Sequence, residues 1–117
     1  MSAGGRVIMM GSINSDWVPF PGISVYALTK AALVGLTHAL ARELGPRGIT
    51  VNNVQPGPVD TDMNPADGKF APFVKPTIAI GRYGTTDEIA GLVSYLAGPE
   101  SAYVNGANIR IDGGASA

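Results

Sequence analysis

Tyr26 and Lys30 stand four positions apart in a stretch rich in Ala and Leu and free of proline. On a helix, residues four apart share one face. A phenol beside an ammonium is a proton-transfer pair. A free tyrosine ionises near pH ~10. A neighbouring cation favours the phenolate, and a general acid–base works best when it ionises near the working pH. Ser12 adds a hydroxyl that can hold a substrate oxygen. The chain has one histidine and offers no paired base beside Ser12, so an orienting role fits it better than a nucleophilic one.

These residues need elements to position them. Arg6-Val7-Ile8-Met9-Met10, between Gly4-Gly5 and Gly11-Ser12, reads as a buried strand. Ile13 to Ser24, with Pro19, Pro21 and Gly22, reads as loop. Val25 to Leu44 has no proline and stops at Gly45-Pro46, which predicts a helix of about five turns. That helix is apolar on most sides, with Leu28, Leu33, Leu36, Leu40 and Leu44 among alanines, so it is expected to be covered on more than one face. Ile49 to Val54 is rich in β-branched residues and reads as a second strand. Val59 to Tyr83 reads as mostly irregular, a length typical of lids and binding loops. Thr86 to Ala97 is a second helix, capped by Thr85 or Thr86 with acids in its first turn. Asn108 to Asp112 is a third strand. Strands alternating with helices predict an α/β fold with a parallel sheet and helical crossovers.

Ligand crevices in such sheets form outside the C-terminal ends of the strands. Ser12 follows the first strand. Asn53-Val54-Gln55-Pro56-Gly57-Pro58-Val59-Asp60-Thr61 carries the second strand into a turn at the same edge. Ser12, the Tyr26/Lys30 face and the Pro56–Thr61 turn therefore converge.

Ser12 followed by Tyr26-Ala27-Leu28-Thr29-Lys30 resembles the Ser…Tyr-x-x-x-Lys signature of the classical short-chain dehydrogenases/reductases. The turn from Asn53 to Thr61 is similar to that family's Pro-Gly…Thr turn. Tyr103 to Gly114 resembles its last strand and Asp-Gly-Gly ending. The resemblance runs from about Gly5 to Gly114. It implies the C-terminal part of a doubly wound, Rossmann-type parallel-sheet fold, with residues 1–117 forming a single partial domain. By the same resemblance, Tyr26 is the acid–base and Lys30 assists it and binds the cofactor's ribose with it. Ser12 orients the substrate, and Pro56, Gly57, Val59 and Thr61 line the nicotinamide. The loop at about 62–80 corresponds to the substrate lid. The implied activity is NAD(P)-dependent hydride transfer between nicotinamide and a small alcohol or carbonyl. NAD and NADP both remain open. Family subunits pair through the helix here at 25–44, which implies a homo-oligomer.

The sequence departs from the family in one large respect. Family members are about twice as long, with a glycine-rich phosphate turn in the first half. None of the 16 glycines here forms a G-x-G-x-x-G or G-x-x-x-G-x-G pattern. The alternative reading is therefore a truncated, inactive fragment or a non-catalytic binding or scaffold relative.

Composition removes other classes. The chain has no cysteine, which excludes disulfides and Cys-ligated metals, and its one histidine, His38, cannot build a multi-His metal site. Asp60 and Asp62 read as solvated loop acids without a third ligand. Trp17 reads equally as a pocket wall or a loop cover. A net charge of −1 gives no pull toward nucleic acid or an anionic membrane. The longest uncharged run after Lys30, Ala31 to Ala41, falls short of the ~20 residues of a membrane span. A soluble, cytoplasmic protein is the expectation.

Overall fold

The computed structural model describes all residues from Met1 to Ala117. Three strands form one parallel sheet in the order β1 (Arg6–Met10), β2 (Thr50–Pro56), β3 (Asn108–Ile111). The register pairs Arg6 with Thr50 through Met10 with Val54, and Asn53 with Asn108 through Pro56 with Ile111. Helix α1 (Ser24–Leu44) links β1 to β2, and α3 (Thr86–Ala97) stands between β2 and β3. The expected α/β architecture, with parallel strands and helical crossovers, is present.

β2 is the central strand, and its residues from Thr50 to Gln55 are buried. Val51 and Val54 are apolar, yet Asn52, Asn53 and Gln55 are buried beside them. Burying an amide is tolerable only when it is hydrogen-bonded. Asn52 meets that condition: its Nδ2 donates to the Val104 carbonyl at 2.8 Å, and its Oδ1 accepts the Ala107 N–H at 3.0 Å. This pins the segment that delivers β3.

Several boundaries differ from expectation. β2 starts one residue later than Ile49 and runs on to Pro56, where the ring needs no ladder N–H. β3 ends at Ile111. The loop after β1 contains a 3₁₀ turn, Ile13–Ser15, capped by Ser12. The segment 59–83 is less irregular than its prolines suggest. It holds α2 (Ala71–Val74) and a 3₁₀ turn, Lys75–Thr77, each with its proline in the first turn. Proline is compatible with a helix there because that N–H has no intrahelical partner. Thr85, rather than Thr86, caps α3, and Glu88 completes a capping box.

α1 buries only Thr37 and Ala41, while Val25 and Leu28 are about 70% exposed (72% and 69%). Its apolar outer face is uncovered, and so is the outer edge of β1. With its 3₁₀ continuation (Ser24–Arg47), α1 is, by length and composition only, long and apolar enough to cross a membrane. In this fold it connects two strands that pair directly and packs on β2, which makes it a crossover helix.

A small apolar cluster joins Ile13, Ala71, Ile78, Tyr83 and Ala115, with Trp17, Ala66 and Val74 packed against it. Trp17 therefore covers this cluster. Ile13 follows Ser12 directly, so the cluster seats the 62–80 segment against the chain leaving β1.

Candidate active site

Ser12 lies just beyond the C-terminal end of β1 and is 5% exposed. Its Oγ accepts the Asn14 N–H at 3.0 Å, as an N-cap does. Its hydroxyl faces Asn14 Oδ1 at 3.4 Å, a long hydrogen bond. The Ser12 oxygen is thus held while its proton is only weakly engaged. Asn14 is fixed in turn by donating to the Trp17 carbonyl at 2.8 Å.

α1 begins nine residues after Ser15 and returns along the sheet. Lys30 Nζ donates to the Met10 carbonyl at 2.9 Å, bolting the first turns of α1 to the end of β1. The same nitrogen lies 5.6 Å from the centroid of the Tyr26 ring, within cation–π range. Tyr26 itself is half exposed. An ammonium has three N–H donors, so two remain after the Met10 bond.

The Pro56–Thr61 turn reaches the same sheet edge, because Met10 pairs with Val54, two residues before Pro56. Gly57 donates its N–H to the Ile111 carbonyl at 3.0 Å. A Cβ on Gly57 would stand 2.5 Å from Asp112 Cβ, so only glycine fits. Val59 bridges Gly84, and the Thr61 Oγ1 accepts from the Asn64 N–H at 3.3 Å, leaving its own proton free to donate. Asp60 Oδ1 accepts the Ala66 N–H at 2.8 Å and so caps the loop. Tyr83, beneath it, donates to Asn64 Oδ1 at 3.3 Å. Burial, aided by Asp60, raises the Tyr83 pKa above the usual tyrosine value.

The Asp112-Gly113-Gly114 segment makes defined contacts. Burial works against ionisation of Asp112. Hydrogen bonds from the Ser116 hydroxyl (2.5 Å) and from the Gly114 and Ser116 N–H groups (3.0 Å each), with Arg110 nearby, outweigh it and lower the pKa. Gly113 and Gly114 have positive φ (+59° and +82°) and receive the returning segment at Ile78–Ile80. A Cβ on Gly114 would come within 2.8 Å of Ala79 Cβ.

The structure therefore links Ser12, Lys30 and Tyr26 through the end of β1. It brings Pro56, Gly57, Val59 and Thr61 to the neighbouring strand end. Residue types and spacing did not single out Asn14 or the Met10 carbonyl. The Ser-x-Asn spacing is a side-chain capping signal that points to Asn14; a backbone carbonyl leaves no signal.

The family model described as Enoyl-(Acyl carrier protein) reductase matches residues 1–116. The chain is 50% identical over 113 residues to the "Cyclic-di-GMP-binding biofilm dispersal mediator protein" of Escherichia coli K12, covering 97% of this chain and 48% of that protein. The solved short-chain dehydrogenase/reductase of Serratia marcescens BCRC 10948 superposes with a TM-score of 0.97 at 62% identity, over 100% of this chain and 48% of its own. A Burkholderia cenocepacia J2315 short-chain dehydrogenase, solved in complex with NADP, gives a TM-score of 0.98 at 52% identity over 100% and 48%. The chain thus spans about half the length of the relatives it matches.

Proposed function

The chain belongs to the short-chain dehydrogenase/reductase family, and from that premise we propose that it is the C-terminal, catalytic part of a nicotinamide-dependent oxidoreductase acting on a small alcohol or carbonyl. One observation carries the reading. Lys30, beside the Tyr26 ring, is anchored with donors to spare to the carbonyl of Met10, which stands two residues before Ser12 in the chain.

The donor set suits a nicotinamide nucleotide. The Lys30 ammonium and the Tyr26 hydroxyl can hold ribose hydroxyls, and the free Thr61 proton at the Pro56–Thr61 turn can meet the nicotinamide end. The NADP complex of the Burkholderia relative supports a dinucleotide of this kind. When bound, such a cofactor supplies or accepts the hydride.

The chain's own residues handle the proton. In reduction, Tyr26 gives its phenolic proton to the carbonyl oxygen as negative charge develops there. Lys30 stabilises the phenolate left behind, which solvent then reprotonates. Ser12 donates a hydrogen bond to the same oxygen and fixes its position. In oxidation each step reverses. The 62–80 segment serves as the substrate lid, and α1 as the surface through which subunits pair.

The name of the Escherichia coli relative supports the alternative, a family member used for binding rather than turnover. One experiment separates the two. The full-length protein is mixed with NADPH or NADH and a set of small ketones and 3-oxo esters, and nucleotide oxidation is followed. The reading expects oxidation that depends on the carbonyl. No oxidation with any pair rejects it in favour of the alternative.

A further inference from the structure

A ladder of polar side chains runs from solvent into the sheet beneath α1. Its outer end is His38, exposed on the same helix as Tyr26 and Lys30. His38 Nε2 lies 3.1 Å from Nδ2 of Asn108 on β3. Asn108 Oδ1 accepts from Nδ2 of Asn53 on β2 at 2.9 Å. This second bond fixes the Asn108 amide, so its Nδ2 donates and the His38 nitrogen accepts.

The inner end is unusual. Asn53 is fully buried, and its Oδ1 has no hydrogen-bond partner. An unsatisfied buried polar atom calls for an explanation. Against it lies Gly11. A Cβ on Gly11 would stand 2.6 Å from Oδ1, 2.9 Å from Nδ2 and 3.1 Å from Cγ of Asn53, so the whole amide rests on the glycine backbone. The Gly11 N–H donates to the Val54 carbonyl at 2.7 Å. The peptide leading into Ser12 is thus gripped by the β2 backbone and by the Asn53 amide.

We propose that Asn53 is a positioning residue for Ser12, oriented by Asn108 and His38. The proposal rests on the reading of Ser12 as the group that orients the substrate oxygen. A flat amide locked by one hydrogen bond holds a single orientation against Gly11, which an aliphatic side chain of like size would not. His38 ties that orientation to the helix that carries Tyr26 and Lys30. A misplacement of about 1 Å in such a constellation can cost ~10²-fold in rate, so a residue with no substrate contact can still set turnover.

The test is a double-mutant cycle in the full-length protein, with NADPH and ethyl acetoacetate or acetophenone, whichever turns over faster. Asn53→Ala is expected to lower kcat about tenfold with KM little changed. In a Ser12→Ala background the same substitution should change kcat less than twofold, because its effect passes through Ser12. Gly11→Ala should also lower kcat and be partly rescued by Asn53→Ala, which removes the clashing amide. His38→Ala, at the exposed end of the ladder, should show a smaller kcat loss that also vanishes without Ser12. It keeps the cycle usable if the Asn53 variant does not fold. Equal kcat losses with and without Ser12 would overturn the proposal and leave Asn53 a packing residue. A Ser12→Ala enzyme as active as the parent would instead overturn the reading of Ser12 on which the proposal rests.

Discussion

Lys30 uses one of its N–H donors on the Met10 carbonyl, and this bond joins its two tasks. It places the ammonium beside Tyr26 and holds the helix start against the strand that presents Ser12. Lys30→Met keeps most of the stem and removes both effects. Turnover of the full-length enzyme should fall about a hundredfold or more, and the KM for nucleotide should rise. Lys30→Arg should recover only part, because a planar guanidinium cannot replace a compact ammonium between a carbonyl and a ring. Steady-state kinetics of both variants checks this, and parent-like values in Lys30→Met would reject the role. The shared helix of Tyr26 and Lys30 and the place of Ser12 after a strand could be read from residue order, because helical spacing and a strand end are local features. The grip of Asn53 on Gly11 was not, since it joins positions 42 apart through the pairing of two strands.

Among the elements, α3 shows how a local signal becomes a measurable property. Thr85 Oγ1 accepts the Glu88 N–H at 3.1 Å, and the Glu88 carboxylate accepts the Thr85 N–H at 3.1 Å. Arg82 closes on the same carboxylate at 2.8 and 3.1 Å. The Arg82 hydrogen bond, with those from Thr85, lowers the Glu88 pKa from 4.5 to about 2. A carboxyl depressed on folding adds stability above its unfolded pKa, and that share is lost as pH falls through the folded value. The contribution of Glu88 is therefore full above about pH 4.5 and fades toward pH 2. Urea midpoints measured across that range should fall less steeply in Glu88→Gln than in the parent; parallel curves would contradict the assignment. Thr85→Ala should destabilise the protein by about 0.5–2 kcal/mol through loss of the cap, read as a lower melting temperature. Residue order narrows this cap to Thr85 or Thr86 and marks the limits of β1 and the end of α1 at Leu44, while α1 starts one residue earlier than expected, at Ser24. Helix α2 could not be read this way. Its proline, Pro72, looks like a breaker until the start of the helix is known, and tertiary packing of Ala71 beside Ile13 and Ile78 decides that start.

At the scale of the whole molecule, the surface is larger than its mass calls for. The accessible area is 6921 Å², against roughly 6,000 Å² for a monomer of this mass. The radius of gyration is 15.2 Å, against about 13 Å for a compact chain of this length. The bare outer face of α1 and the unpaired edge of β1 form part of that surface, and such surfaces favour association. The 117-residue chain on its own is expected to sediment as oligomers or aggregates at micromolar concentration. A sharp 12.0 kDa species with cooperative unfolding would show otherwise. It should also bind NADPH weakly. Within these residues no glycine-rich turn holds the pyrophosphate, and each hydrogen bond to such a charged group is worth about 1.5–3 kcal/mol. Lacking two or three of them removes roughly two to six decades of affinity. Micromolar binding in calorimetry would mean that another element holds the phosphates.

The proton carried by Tyr26 is the centre of this account, and Tyr26→Phe tests it with a single atom removed. In the full-length enzyme, turnover with NADPH and its best carbonyl substrate is measured beside the NADPH dissociation constant. The account predicts that kcat drops about 10²–10⁴-fold, while nucleotide binding weakens by less than about tenfold, the loss of one hydrogen bond. A Tyr26→Phe enzyme that turns over as fast as the parent, with nucleotide bound as well, would contradict it.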